Sequence, residues 1–145
     1  MEGTIRSTET VAPPEEVFAV ASDVASYPEW ATGVSEVEVL ETDGEGRPRR
    51  ASFEVEGFIK KIRYTLEYTY DPPHEIRWTA VPGDDITEME GSYRFNPLEE
   101  GGTEIVYALR VQPAFTVPGF LRRQAEKQIV GAALRGLRLR VEQAS

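Results

Sequence analysis

Tyrosine hydroxyls at alternate positions are the groups in this sequence best placed to act on a bound molecule. In the segment KIRYTLEYTY, Tyr64, Tyr68 and Tyr70 alternate with polar residues, and Ile62 and Leu66 share their parity. Successive side chains of a β-strand point to opposite faces, so three phenols lie on one otherwise apolar face. A core filled only by side chains favours Val, Ile, Leu or Phe there, because a buried phenol needs a hydrogen-bond partner. The pattern therefore favours a cavity that holds water or a ligand.

Other catalytic groups are sparse. His74 is the only histidine, and it follows Asp71-Pro72-Pro73 in a predicted turn, so we interpret it as a solvent-exposed loop residue rather than part of a Ser-His-Asp triad. The absence of cysteine excludes disulfides, thiolate metal sites and a cysteine nucleophile. With one histidine and no calcium-loop spacing, we predict no metal and no other cofactor. The Gly101-Gly102 pair belongs to a predicted hairpin and not to a phosphate-binding fingerprint.

Composition limits the class of protein. The 145 residues, with 40% hydrophobic and 28% charged content, predict one globular domain over residues 1–145. We see no apolar run long enough to cross a bilayer and no signal peptide, which with the absence of cysteine fits a cytoplasmic protein. The net charge of −9 argues against nucleic acid as the main partner, because phosphate binding needs a basic surface. Oligomeric state is not predicted.

Positive charge is concentrated near the C-terminus. Residues 119–145 hold six basic side chains against Glu126 and Glu142. This segment could contact an anionic lipid surface or ligand, or it could be a solvated helix face that pairs with the acidic remainder of the chain. We favour the second interpretation because most charged runs serve solvation.

Hydrophobic periodicity predicts the order of elements. A strand over 4–11 is followed by a helix beginning near Pro13 and Pro14, a second short helix through YPEW, and then six strands with period-two alternation. A long helix runs from about Pro118 to about Gln143, with Val130, Leu134, Leu137 and Val141 on one stripe. Strands grouped apart from helices predict an α+β fold in which a curved antiparallel sheet is closed by the last helix.

Two segments resemble the START-like superfamily of polyketide cyclase/dehydrase and lipid-transport proteins. APPEEVFAVASDVASYPEW, residues 12–30, is similar to the usual opening of these proteins, and MEGSYRFNPLEEGGTEIVYAL, residues 89–109, is similar to their late hairpin. The resemblance spans nearly the whole chain. It implies a helix-grip fold: a seven-stranded curved antiparallel sheet wrapped around a long C-terminal helix, with two short helices after the first strand.

The resemblance also implies a function. Members hold an apolar ligand between sheet and helix, and some catalyse cyclisation of polyketide chains, so fold alone does not choose between binding and catalysis. We expect the chain to bind or carry a small, largely apolar ligand such as a lipid, quinone or polyketide. The alternatives are a polyketide cyclase/dehydrase-type enzyme and a module whose groove packs a partner protein. The candidate ligand-binding residues are Trp30, Tyr64, Leu66, Tyr68, Trp78, Met89, Tyr93, Phe95 and Tyr107.

Two features have competing interpretations. Trp30 is either a gate at the cavity mouth or a packing anchor for the short helices. Phe115, Val117, Phe120 and Leu121 surround Pro113 and Pro118. They could form a lid or make a transient membrane contact during ligand exchange, or they could be a helix start tucked into the core, which we favour slightly.

The alternation also predicts which charged groups face away from the cavity. Arg94, Arg110, Glu67 and Arg63 have outward parity. If that parity were reversed, Glu54, Glu67 and Arg94 would supply the polar groups of the pocket.

Overall fold

A computed structural model describes residues 3–57 and 60–144. Seven strands form one antiparallel sheet in the order β1-β7-β6-β5-β4-β3-β2. The α+β helix-grip arrangement is as predicted. Its elements, in chain order, are β1 Thr4–Thr10, α1 Pro14–Ser22, a 3₁₀ helix Val24–Glu29, β2 Val34–Thr42, β3 Pro48–Glu56, β4 Lys61–Asp71, β5 Glu75–Val81, β6 Ile86–Pro97, β7 Thr103–Pro113 and α2 Gly119–Ala144.

The short helices begin where local chemistry favours them. Pro14 lies in the first turn of α1, where a missing N–H costs nothing, and Glu15 and Glu16 follow at the positive end of the helix dipole. Val17, Phe18 and Ala21 are buried against the sheet side of the molecule. The chain then continues through the 3₁₀ helix, which contains Pro28.

Register fixes which side chains share the inner face. Ala51 lies opposite Leu66, and Tyr68 lies opposite Trp78. Directly opposite residues of antiparallel strands point to the same side, so these pairs extend one apolar surface across the sheet. The outward parity of the charged residues is confirmed, because Arg63, Glu67 and Arg94 are exposed. The ion pairs of that outer face include Arg63–Glu54 at 2.8 Å, Arg94–Glu75 at 3.5 Å and Arg110–Glu90 at 3.0 Å.

Helix α2 packs against the inner face of the sheet through one apolar stripe. Its predicted stripe, Val130, Leu134, Leu137 and Val141, is buried, whereas the flanking Ile129 is 48% exposed. The close backbone approaches of α2 are to β1, β7 and α1. The inner side chains of the middle strands, among them Leu66, Tyr68 and Trp78, are buried in the same hydrophobic core as the stripe of α2. No helix in the described part of the chain is long and apolar enough to cross a membrane.

Candidate functional site

An aromatic surface covers the inner face of strands β3 to β7. Phe53 stacks on Tyr64 with ring centroids 5.2 Å apart, and Tyr68 lies 6.0 Å from Trp78. The Trp78 ring is in turn 5.5 Å from Tyr93 and 5.6 Å from Tyr107. The rings thus form two sets of neighbours, one around Phe53 and Tyr64 and the other around Trp78, with Leu66 between Tyr64 and Tyr68 on β4.

Gly91 makes this packing possible. It lies opposite Trp78 in the β5–β6 register, and the indole occupies the place that a side chain at position 91 would fill. A Cβ there would overlap the indole ring itself rather than the end of a flexible side chain. The glycine two residues before Tyr93 therefore allows Trp78 to lie across β6 and to reach both Tyr93 and Tyr107.

The six tyrosines fall into two groups by their hydrogen bonds. The Tyr27 hydroxyl donates to the carbonyl of Ala21, and the Tyr70 hydroxyl donates to the carbonyl of Pro48. The other four hydroxyls form no hydrogen bond with any residue in the described ranges; these tyrosines, here called the tyrosine cluster, are Tyr64, Tyr68, Tyr93 and Tyr107. Their rings are nevertheless buried or half-buried.

The hydroxyl oxygens of the tyrosine cluster are not sealed inside protein. Within residues 3–57 and 60–144, the one fully enclosed side-chain nitrogen or oxygen that lacks a partner is Nε of Arg50. Since the four phenol oxygens also lack protein partners, each must border space that a water molecule can touch. A polar group in such a position is satisfied by water or by a ligand.

The phenols influence one another's protonation, which places them close together. Burial raises the pKa of Tyr68 well above 10, and neighbouring phenols, Tyr27 and Tyr64 first among them, raise it further. Burial likewise raises the pKa of Tyr93, with Tyr27 and Tyr107 adding to the effect. All of these hydroxyls are therefore neutral near pH 7, so they can donate hydrogen bonds but cannot act as anionic bases.

Most of the predicted ligand-binding residues meet on this surface. Leu66 lies on the same face between Tyr64 and Tyr68, and Met89 is half-buried at the other end of β6. Phe95 instead packs edge-on against Phe18 of α1, at 6.1 Å, and stacks on Tyr93. Phe95 thus belongs to the contact between α1 and the sheet. Ligand contact by these residues remains a prediction.

Trp30 acts as a packing anchor in the structure. Its indole lies against Gly136 of α2, where an added Cβ would sit 3.2 Å from the ring. It also meets Tyr27 edge-on, with centroids 5.0 Å apart. The glycine in α2 therefore permits a close approach by Trp30, the residue that follows the 3₁₀ helix. A role for Trp30 as a gate stays a prediction.

The start of α2 differs from the favoured expectation. Phe115 and Val117 are half-buried, but Phe120 and Leu121 are 64% and 45% exposed. The interpretation of a helix start tucked into the core is wrong for these two residues, because the first turn of α2, which begins at Gly119, faces outward. Two carboxylates pair with backbone N–H groups of the sheet near this end of α2: Asp85 accepts from Arg63 in β4 at 2.8 Å, and Glu126 accepts from Val111 in β7 at 3.0 Å.

Sequence reasoning missed Tyr27 and Phe53 as members of this surface. Phe53 has the inward parity of β3 and lies opposite Tyr64, so the alternation alone could have identified it. Tyr27 lies on a 3₁₀ helix, where period-two reasoning does not apply, and only its closeness to Trp30 in YPEW signals a shared role. Among the described residues, no group of three or more His, Asp or Glu side chains could hold a metal ion.

The geometry defines a class of protein: a helix-grip domain whose sheet presents an aromatic, hydroxyl-bearing surface toward the C-terminal helix. The chain belongs to the family described as "Polyketide cyclase / dehydrase and lipid transport", whose sequence model matches residues 11–138. It is a START-like protein.

Solved structures share this fold. A START superfamily protein from Mycobacterium smegmatis is 23% identical, with a TM-score of 0.90 and 99% of each chain covered. The Zhui aromatase/cyclase from Streptomyces sp. R1128 is 19% identical, with a TM-score of 0.81, covering 98% of this chain and 94% of that one. A STAR-related lipid transfer protein from Xanthomonas axonopodis is 18% identical, with a TM-score of 0.75, covering 95% and 84%. At these identities, the likeness is one of fold.

Proposed function

We propose that this protein binds or carries a small, largely apolar ligand between the sheet and α2. The observation that supports the proposal is the tyrosine cluster: four phenol hydroxyls with no partner in the described residues, set in an aromatic surface on the inner face of the sheet. Because no residue in the described ranges pairs with these hydroxyls, water or a bound ligand must supply their hydrogen bonds. A ligand that does so replaces water at four groups on one face.

The ligand has two kinds of contact in this proposal. Trp78, Leu66 and the tyrosine rings contribute apolar area, at about 25 cal/mol per Å² buried, less the costs of association. The hydroxyls orient a ligand that carries a carbonyl or hydroxyl oxygen, because a phenol both donates and accepts a hydrogen bond. A lipid, quinone or polyketide with one polar end satisfies both conditions.

Native mass spectrometry of gently purified protein, with solvent extraction of the same sample, tests the proposal. We expect a bound apolar molecule in the wild type and a lower occupancy in Tyr93→Phe/Tyr107→Phe. Tyr70→Phe is the matched control, because the Tyr70 hydroxyl is already committed to Pro48. Protein that carries nothing after purification and takes up no quinone or fatty acid on incubation would count against a carrier.

A polyketide cyclase/dehydrase-type enzyme is the second candidate. The family description includes this activity, and one structural neighbour is an aromatase/cyclase. Neutral phenols could donate protons to an enolisable chain, but their raised pKa makes them unsuitable as bases near pH 7. Incubation with a reactive poly-β-ketone surrogate separates the two functions: a product distribution that matches buffer alone favours binding without catalysis.

We infer that ligand exchange includes a transient membrane contact at Phe120 and Leu121. These neighbouring apolar side chains are 64% and 45% exposed at the start of α2. Exposed apolar patches often mark such interaction sites. Transfer of a fluorescent fatty acid between phosphatidylcholine vesicles should slow in Phe120→Ser/Leu121→Ser and stay unchanged in Leu40→Ser, which alters an exposed apolar residue of β2.

A further inference from the structure

A narrow crevice separates the edge strand β1 from α2. The inner positions of β1 are Thr4, Arg6, Thr8 and Thr10, which lie opposite inward residues of β7. The Thr4 hydroxyl donates to Glu126 Oε1 at 3.3 Å, and the Thr10 hydroxyl donates to Glu142 Oε2 at 2.9 Å. The helix is therefore fastened to the strand at both ends of β1. Between these two hydrogen bonds, a depression of about 230 Å³ remains open.

Guanidinium groups line this depression. Its walls include Arg6, Arg135 and Arg138, together with Ser7 and Thr8. Arg138 donates to Glu142 at 3.1 Å, whereas Arg6 and Arg135 form no ion pair with a carboxylate in the described ranges. The crevice thus holds three positive groups and one adjoining negative group, on a chain whose net charge is −9.

The absence of a side chain at Gly131 shapes the crevice. Arg135 lies one helical turn further along α2, and its Nη1 would be 3.3 Å from a Cβ at position 131. The guanidinium therefore rests beside the bare backbone of Gly131, which itself lines the depression. Glycine in the interior of a helix lowers helix stability by about 1 kcal/mol relative to alanine. At position 131 it leaves room for the Arg135 side chain.

We propose that the β1–α2 crevice binds a phosphate group through Arg6 and Arg135. A guanidinium presents donors in a planar fork that matches the oxygens of phosphate, and two forks without carboxylate partners leave these donors available. The hydroxyl of Thr8, an inner position of β1, adds a neutral donor on the strand side.

The size of the crevice fits a phosphate group with its hydration. The depression of about 230 Å³ is open to solvent and has room for one phosphate group and bridging water molecules. The phosphate could be a free metabolite or the head group of a lipid whose chains lie outside the crevice.

Thermal unfolding with inorganic phosphate, at constant ionic strength against chloride, tests the site. We expect phosphate to raise the melting temperature of the wild type and of Arg123→Gln, an unpaired exposed arginine on α2 that does not line the crevice. Losing one charged hydrogen-bonding partner weakens binding by about tenfold or more, so Arg6→Gln/Arg135→Gln should lose the effect. Circular dichroism of the variants confirms that they fold.

A second measurement identifies the source of the phosphate. Protein is sedimented with vesicles of phosphatidylcholine containing phosphatidate, and with phosphatidylcholine alone. If the protein sediments with vesicles only when they contain phosphatidate and only when Arg6 and Arg135 are present, the site binds a lipid head group. If inorganic phosphate raises the melting temperature but the protein does not sediment with the vesicles, the site binds a soluble phosphate. If the double variant responds like the wild type in both measurements, or the wild type responds in neither, the proposal is wrong. Variants of the tyrosine cluster should behave like the wild type, so this test is independent of the proposed apolar cavity.

Discussion

Tyrosine-to-phenylalanine substitutions should divide the six tyrosines into two groups. In Tyr27→Phe, the carbonyl of Ala21 loses its donor. Removing a hydrogen bond of this kind costs about 1 kcal/mol, which corresponds to about 2–4 °C in melting temperature for a domain of this size. Tyr70→Phe should behave in the same way, because the carbonyl of Pro48 loses its donor.

Variants of the tyrosine cluster should respond differently. Tyr93→Phe and Tyr107→Phe remove hydroxyls that have no partner in the described residues, so no protein hydrogen bond is lost. We expect the free energy of unfolding of ligand-free protein to change by less than about 0.5 kcal/mol, because only a contact with water is exchanged. A buried tyrosine that can be changed to phenylalanine without cost indicates a hydroxyl that serves something other than folding.

Urea denaturation of extracted, ligand-free protein measures these differences, with far-UV circular dichroism and tryptophan fluorescence as two probes. The same series is repeated after loading with a quinone or fatty acid. The cluster variants should then lose part of the stabilisation that the ligand gives to the wild type. If Tyr107→Phe destabilises the ligand-free protein as much as Tyr27→Phe does, the hydroxyl has a protein partner and the argument for the cavity fails.

Three further outcomes follow from the geometry. Gly91→Ala should destabilise the protein by about 1–3 kcal/mol in urea denaturation, because a Cβ would overlap the Trp78 indole; Gly44→Ala, with open space around it, should cost much less. The ion pair with Lys60 holds the pKa of Asp85 below its usual value, so the carboxylate stabilises the fold above about pH 4 and this contribution is lost as the pH falls further. Asp85→Asn should therefore flatten the acid side of the curve of melting temperature against pH, and a curve parallel to that of the wild type would contradict the assignment. Burial raises the pKa of Tyr68 and Tyr93, so their protonated phenols stabilise the fold fully below pH 10 and progressively less above it. Absorbance measured at alkaline pH should therefore show these tyrosines ionising only when the protein unfolds. Ionisation near pH 10 in folded protein would show that they are exposed.

The alternation of apolar and polar residues along the later strands was sufficient to predict their inner faces. In β4, for example, Leu66 and Tyr68 are buried while Glu67 is exposed, as the period of two requires. A one-residue error in parity would have moved every aromatic residue to the outer face. The prediction succeeded because the outer positions carry charged residues that form cross-strand ion pairs, such as Arg50–Glu67 at 2.9 Å, and thus mark the solvent side clearly.

The first strand shows where sequence reasoning is weakest. Its inner positions are Thr and Arg rather than apolar residues, so its alternation is faint. The reason lies more than 120 residues away: Thr4 and Thr10 hydrogen-bond to Glu126 and Glu142 of α2. No local pattern reveals such a partner. For the same reason, the crevice between β1 and α2 could not be predicted, because it depends on residues from opposite ends of the chain.

Some polar side chains of the inner face pair with protein groups and others do not, and this difference supports the proposed function. Where α2 approaches the sheet at β1, polar side chains are matched by helix carboxylates, as at Thr10 and Glu142. On β4, β6 and β7, the hydroxyls of Tyr68, Tyr93 and Tyr107 find no such match within the described residues. Phenylalanine would supply the same ring at these positions without a hydroxyl. In the proposed function, the hydroxyls are retained because a bound ligand pairs with them.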